Sequence, residues 1–285
     1  IYPSDQIIGT KQRLSVPSAQ VKSAILLASL YANSKTVLST SSVTINHTEL
    51  MLESFGCDIR HNEQEIILEQ GELKGINALT IPGDFSSASF LIFASLIAKD
   101  SQIIIKNVGL NPTRIGLLKI LQMMGGKITT TVDPNNSYEI QGTIKVKSSE
   151  LHGINVPRIL IPRSIDELPL VFLAAACAKG TTTIRNATEL RFKESDRITA
   201  MATLLSQLSI DVKEFNDGLT INGGVMSGGE IDSFGDHRIA MTALIASACS
   251  KADILVHNTE NIDTSFPNFV GIMNQLGMDI IDPEC

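Results

Sequence analysis

The chain has 285 residues, 43% hydrophobic and 19% charged, which supplies apolar side chain for one large packed core or two smaller ones. A net charge of −7 and a pI near 5.3, with most cations scattered, exclude a nucleic-acid partner and favour a small anion held at one cationic point. No apolar run approaches the length of a membrane span and no basic-then-apolar leader opens the chain, so no membrane partner is expected.

In chain order, Ile1-Tyr2-Pro3 comes first, with no initial Met, and reads as a chain entered partway. One pattern then recurs: an Ala/Leu-rich helix, a small turn, a β-branched strand, a polar loop, a second helix, and a strand opening after Gly. The first copy runs through Ser18 to Leu27, Thr36-Val37-Leu38, Glu49 to Phe55 and Gly56-Cys57-Asp58-Ile59. The second runs through Ser87 to Ala98, Gln102 to Ile105, Arg114 to Met124 and Gly125-Gly126-Lys127-Ile128. The third starts at Asp166-Glu167-Leu168-Pro169, passes through Thr181 to Arg185, and crosses a charged loop into a helix over Ile198 to Leu208. The fourth starts at Asp236-His237-Arg238, runs through Ile254-Leu255-Val256 and ends with Phe269 to Leu276 and Gly277-Met278-Asp279-Ile280. Copies begin about 70–80 residues apart, too long for a solenoid repeat and suited to small α/β subdomains.

Further strands are expected at Glu65 to Leu68, Leu79-Thr80-Ile81, Ser137 to Ile140 and Leu219-Thr220-Ile221. The first helix of each copy is apolar around much of its circumference and should be buried, with the more amphipathic second helices outside. Ile81-Pro82-Gly83-Asp84 is the one domain boundary. Asn222 to Gly229 is Gly-rich but lacks a following Lys-Ser/Thr and reads as a hairpin loop, not a phosphate cradle. Cys57, Cys177, Cys249 and Cys285 are widely spaced, with no CxxC; they read as small apolar packers in a reducing, cytoplasmic setting. His47, His61, His152 and His257 show no metal spacing.

The chemistry concentrates in Arg191-Phe192-Lys193-Glu194-Ser195-Asp196-Arg197, where three cations alternate with two carboxylates ahead of a helix that Ser195 or Asp196 could cap. A solvated turn and an anion site at a helix N-terminus are both open, and Glu194 in an anion site is a possible proton carrier. Polar residues also open the buried helices: Ser18 and Gln20, Asp166, and Asp236-His237-Arg238. For Ser18 and Asp166 the alternative is simple capping, and for Arg238 a surface ion pair with Asp236. A cation at a helix N-terminus opposes the dipole, and an anionic ligand would explain it.

Glu189-Leu190-Arg191-Phe192-Lys193-Glu194-Ser195-Asp196-Arg197 together with Asp236-His237-Arg238-Ile239-Ala240-Met241 resembles the 5-enolpyruvylshikimate-3-phosphate synthase family. Ser18 to Ala24, His47-Thr48-Glu49, Pro82-Gly83-Asp84, Asn111-Pro112-Thr113-Arg114, Ile165-Asp166-Glu167 and Thr264-Ser265-Phe266-Pro267 extend the likeness along the chain. Ala19 after Ser18 and the Thr-Ser-Phe-Pro ending are similar to the class associated with glyphosate tolerance.

The resemblance implies an α/β enolpyruvyl transferase fold of repeated βαβαββ units with helices inside and sheets outside. Four units of an expected six are present: 1–82 is the remaining part of one lobe and 83–285 the second lobe, so the chain resembles the C-terminal two-thirds of the enzyme. It implies transfer of enolpyruvyl from phosphoenolpyruvate to the 5-hydroxyl of shikimate 3-phosphate with release of phosphate, without metal or cofactor. In the implied site, Asp166 is the base at the 5-hydroxyl and Glu194 carries the methylene proton. Ser18, Ala19, Gln20, Asp166 and Lys193 hold shikimate 3-phosphate, and Gln20, Arg197 and Arg238 hold phosphoenolpyruvate. The implied partners are these two anions and the N-terminal segment of the same enzyme. Two positions depart from the pattern: Glu260 or Asn261 where a Lys is common, and Ile45 where Arg is common. UDP-N-acetylglucosamine enolpyruvyl transfer, or a non-catalytic fragment, is the alternative.

Overall fold

A shared way of ending a helix organises the chain. In the computed structural model, which describes residues 6–134 and 138–281, four second-position helices close with the same backbone bond. Cys57 N–H reaches Leu52 O at 3.1 Å, Gly126 N–H reaches Leu121 O at 2.8 Å, Ile210 N–H reaches Leu205 O at 2.9 Å, and Met278 N–H reaches Met273 O at 3.1 Å. The residue between must be left-handed, and Gly56, Gly125 and Gly277 supply φ values of 77°, 100° and 100°. The third copy has Ser209 there, at φ 65°. A side chain in this region costs roughly 1 kcal/mol, so Ser209→Gly should raise the urea midpoint by an amount worth roughly 0.5 kcal/mol after the loss of unfolded-chain entropy is counted. A lowered midpoint would show that the Ser209–Ser227 hydroxyl contact at 3.0 Å outweighs the strain.

The first unit comprises β1 (Lys11–Arg13), α1 (Ala19–Ser29), β2 (Thr36–Ser39), α2 (His47–Ser54), β3 (Ile59–His61) and β4 (Glu65–Leu68). Its sheet runs β1-β2-β4-β3, with β1 parallel to β2 and the other pairs antiparallel. The second contains α3 (Phe85–Ile97), β5 (Gln102–Gly109), α4 (Gly116–Met123), β6 (Lys127–Val132) and β7 (Gln141–Lys147), in the order β5-β7-β6. The third contains α5 (Leu168–Cys177), β8 (Thr181–Ile184), α6 (Arg197–Gln207), β9 (Asp211–Phe215) and β10 (Gly218–Asn222), in the order β8-β10-β9. Parallel bridges from Gly83 to Val108 and from Asn155 to Thr183 stand where the first unit has β1. The fourth has β11 (Gly229–Asp232) parallel to β12 (Ile254–His257), with α7 (His237–Ala246) between, then α8 (Ile262–Ser265) and α9 (Phe269–Gln275).

Helices α3, α5 and α7 pack on one another inside, and the small sheets lie around them. Every residue of α5 from Leu168 to Ala176 is buried, as an all-round apolar sequence requires. One apolar cluster spans Phe85 to Met273 and a separate one spans Leu26 to Leu68. The expected burial of each first helix holds for three units but not for α1, whose buried residues are Lys22, Leu26 and Ser29. Val21 and Leu27 on α1 are about half exposed. It has β2 to lie on, not two sister helices.

Several strand expectations fail. Leu79-Thr80-Ile81 is irregular, with Ile81 exposed. Ser137 lies outside the described residues, and Tyr138-Glu139-Ile140 lead into β7 without joining it. Gly277 to Ile280 stays irregular because the Asn274 side-chain amide bonds Ile280 through both its N–H and its carbonyl, each at 2.8 Å. Asn222 to Gly229 is no hairpin: β10 and β11 belong to different sheets. Gly223 there packs so close to α5 that a Cβ would meet Ala178 O at 1.7 Å. Cys177 and Cys249 are not separate packers either; their free thiols meet at 3.2 Å, which pushes the Cys177 thiol up, as does its burial. Ile1-Tyr2-Pro3 and Cys285 lie outside the described residues. Among the described residues no helix is long and apolar enough to cross a membrane, and no group of three or more His, Cys, Asp or Glu side chains could hold a metal ion.

Candidate active site

Helix N-termini from different units converge on one cavity. Asp196 caps α6 by accepting from Thr199 N–H at 3.1 Å, and Asp236 caps α7 by accepting from Arg238 N–H at 2.9 Å. Ser18 caps α1 through Val21 N–H, and a short 3-10 turn, Ile165–Glu167, leads into α5. These starts enclose about 660 Å³ lined by Ser18, Ala19, Gln20, Asp166, Lys193, Glu194, Arg197 and Arg238. All eight site residues named from the sequence therefore share one wall-to-wall space, although α1 belongs to the smaller apolar cluster and the rest to the larger. The α1 side is fixed by a buried pair, Lys22 Nζ to Glu49 Oε1 at 2.5 Å, with Lys22 also donating to Ile45 O at 2.6 Å. Burial lowers the Lys22 pKa against the pull of Glu49.

The cations are already spoken for by carboxylates. Lys193 Nζ lies 2.9 Å from Glu189 Oε1 and 3.5 Å from Asp166 Oδ1. Arg197 is 1% exposed; its Nε donates to Asp236 Oδ2 at 2.8 Å and its Nη2 to Glu194 Oε2 at 2.6 Å. Arg238 does not pair sideways with Asp236. Its Nη1 donates to Asp166 O at 2.9 Å and its Nη2 to Ser86 Oγ at 3.2 Å. Burial alone would raise the Asp166 carboxyl, but Arg238, Lys193 and Arg114 overcome it and hold the group down at about 2. His237, on the same wall, is pushed down by burial and then by Arg238, which favours neutral imidazole.

Arg191 is not part of this space. It turns the other way and clamps Asp196 at 2.7 Å, Glu214 at 3.0 Å and the carbonyls of Phe215 and Asn216. Asp196, not Ser195, caps α6, while Ser195 Oγ donates to Asp236 Oδ2 at 3.0 Å. Asn261 is occupied by Gly235 O at 2.7 Å, and neither it nor Glu260 lines the cavity; Ile45 does. Sequence reasoning passed over Arg114, Ser86, Glu167 and Glu189 as site groups. Their partners lie far off in sequence, except Glu189, whose spacing of four from Lys193 was readable.

Buried helices, outer sheets and a charged cavity at helix starts define an enolpyruvyl transferase fold. The chain superposes on the enolpyruvyl transferase NikO from Streptomyces tendae with a TM-score of 0.73, over 97% of this chain and 65% of that one, at 16% identity, a likeness of fold. The EPSP synthase (3-phosphoshikimate 1-carboxyvinyltransferase) family model matches residues 2–273, and the chain belongs to that family. It is 41% identical over 280 residues to a 3-phosphoshikimate 1-carboxyvinyltransferase of Coxiella burnetii, covering 98% of this chain and 64% of the relative. It is 45% identical over 264 residues to one of Legionella pneumophila, covering 92% and 61%. An EPSP synthase structure from Acinetobacter baumannii superposes with a TM-score of 0.87 at 40% identity, over 95% of this chain and 63% of that one. The chain thus spans 61–64% of the length of these relatives.

Proposed function

We propose that this cavity works in the transfer of enolpyruvyl from phosphoenolpyruvate to the 5-hydroxyl of shikimate 3-phosphate, in an enzyme of two lobes that meet near residue 82. The observation that carries the reading is the convergence of Ser18, Gln20, Asp166, Lys193, Glu194, Arg197 and Arg238 on one space. Asp166 takes the 5-hydroxyl proton as the oxygen attacks C2 of phosphoenolpyruvate, while Glu194 delivers a proton to C3. The C2–O–phosphate bond then breaks as a C3 proton returns to Glu194, and phosphate leaves with the proton that Asp166 took from the hydroxyl, which restores both carboxyl groups. Ser18, Ala19, Gln20 and Lys193 hold shikimate 3-phosphate; Arg197 and Arg238 hold phosphoenolpyruvate, beside Gln20.

Charge exchange makes the roles physically consistent. In the free cavity every cation is neutralised by a carboxylate, so the substrates' phosphates compete with Glu189 for Lys193 and with Glu194 for Arg197. An anion on Arg197 displaces the Glu194 carboxyl from its 2.6 Å bond to that guanidinium and frees it to face the methylene carbon. The same competition for Lys193 and Arg238 lifts Asp166 from about 2 toward a useful base.

A second reading, binding without turnover, is favoured by the chain's 61–64% span of its relatives. It corresponds to further phosphate contacts lying in an N-terminal segment of the enzyme. Phosphate release from the two substrates, assayed with this chain alone and after adding the N-terminal third of a relative, separates the two. Release only with the added segment is expected. Release with UDP-N-acetylglucosamine in place of shikimate 3-phosphate would sink the substrate assignment, and full activity of the chain alone would sink the need for the segment.

A further inference from the structure

Behind Asp166 lies a polar lattice whose Arg114, Ser86 and Glu167 stand off the cavity wall and whose Arg238 lies on it. Arg114, in the loop ahead of α4, donates from Nη1 to Asp166 Oδ2 at 2.9 Å and from Nη2 to Ser86 Oγ at 2.5 Å. Ser86 Oγ donates to Glu167 Oε1 at 2.5 Å and accepts from Arg238 Nη2 at 3.2 Å. Arg238 also lies 3.5 Å from Glu167 Oε1, and Glu167 is 2% exposed. One hydroxyl on α3 therefore joins two guanidiniums and a buried carboxylate from three other parts of the chain. A buried lattice with each member satisfied is rigid, because moving one member strands another.

Arg114 is absent from the cavity wall, whereas Asp166 and Arg238 are on it. The Asp166 carboxylate thus has an inner oxygen, Oδ2, taken by Arg114, and an outer one, Oδ1, 3.5 Å from Lys193. We propose that Arg114, seated on Ser86 and Glu167, is a positioning residue for Asp166: it holds Oδ2, fixes the carboxylate plane, and leaves Oδ1 as the oxygen presented to substrate. The catalytic meaning of this role rests on the enolpyruvyl-transfer reading; the geometric role does not. A fixed carboxylate plane matters because small misplacements of a reacting group cost rate far beyond the energy of one hydrogen bond.

The charged groups facing Asp166 are Arg114 with Asp84 behind it at 3.7 Å, Lys193 with Glu189, Arg238 from α7, and its own neighbour Glu167. Arg114 contributes both a Coulombic pull and a hydrogen bond to the low titration of Asp166, so its loss moves that titration upward. The stability that ionised Asp166 supplies is present above 3.8 and is lost as pH falls toward about 2; without Arg114 that contribution is smaller and its loss is complete at a higher pH. Lys at 114 restores a positive charge but not the two-pronged geometry.

The test uses ¹³C-carboxyl NMR titration of Asp166 in this chain, assigned with Asp166→Asn, for wild type, Arg114→Gln and Arg114→Lys. It is paired with kcat and KM for the complete enzyme carrying the same substitutions. Arg114→Gln should raise the Asp166 midpoint by about one pH unit and lower kcat roughly 10–100-fold, with both KM values changed less than about threefold. Arg114→Lys should return most of the midpoint and little of kcat. Ser86→Ala, which leaves Arg114 charged but unseated, should lower kcat with a smaller midpoint change and serves if Arg114→Gln fails to fold. An unmoved Asp166 midpoint in folded Arg114→Gln, or full kcat in Arg114→Lys, overturns the proposal. Absence of turnover in the complete wild-type enzyme would count against the enolpyruvyl-transfer reading, while the titration still decides the place of Arg114.

Discussion

Glu194→Gln in the complete enzyme should cut kcat by about 10²–10⁴-fold while leaving the Kd for shikimate 3-phosphate within roughly threefold. The substitution is nearly isosteric and spares the fold, because the Glu194 side chain is 55% exposed. Its Oε2 accepts from Arg197 Nη2 at 2.6 Å, and the amide oxygen of Gln can accept the same bond. What Gln cannot do is carry a proton to and from the methylene carbon. The loss should therefore fall on kcat and on hydrogen exchange between solvent and C3 of phosphoenolpyruvate, and not on the first substrate to bind. Titration calorimetry with shikimate 3-phosphate, together with steady-state phosphate release, measures both halves. Wild-type turnover in the variant would refute the role. Equal losses in binding and turnover would assign Glu194 to substrate binding instead.

Local patterning carried much of the architecture. The apolar wheels of α3, α5 and α7 announced buried helices, because a helix with no polar face has nowhere else to go. The Gly after the second helix announced the turn into the next strand in the first, second and fourth copies, and Ser209 in the third hid it. Candidate site residues were legible for a related reason: polar groups at the starts of apolar helices are placed there against burial and stand out. What was not legible depends on contacts across long separations. Arg114 finds Asp166 across 52 positions and Arg238 finds Ser86 across 152, and neither carries a local signature. Arg191 misled because it sits inside the charged loop, yet a turn directs it to Glu214 and away from the cavity. Cys177 and Cys249 were read apart because 72 positions separate thiols that the fold brings to 3.2 Å.

The largest stability effect should come from Asp236, a fully buried residue outside the proposed substrate contacts. It caps α7 through Arg238 N–H, accepts from Ser195 Oγ at 3.0 Å, and takes Arg197 Nε at 2.8 Å and Nη2 at 3.2 Å. Those partners hold its carboxyl below the usual range despite a burial that works the other way. Asp236→Asn keeps an oxygen for the cap and removes the charge. Arg197, 1% exposed, then retains Glu194 as its counter-ion, and that carboxylate is half in water. Removing one partner of a buried pair costs about 3–5 kcal/mol, mostly through the uncompensated charge left behind. Urea unfolding of Asp236→Asn should show that loss at neutral pH. Arg197→Met in the same chain removes the stranded cation and should recover at least half of it, since a buried pair replaced by apolar or neutral groups is often close to neutral. If the double variant is as unstable as the two single losses added together, charge stranding is not the cause, and the cap and packing around α7 carry the effect instead.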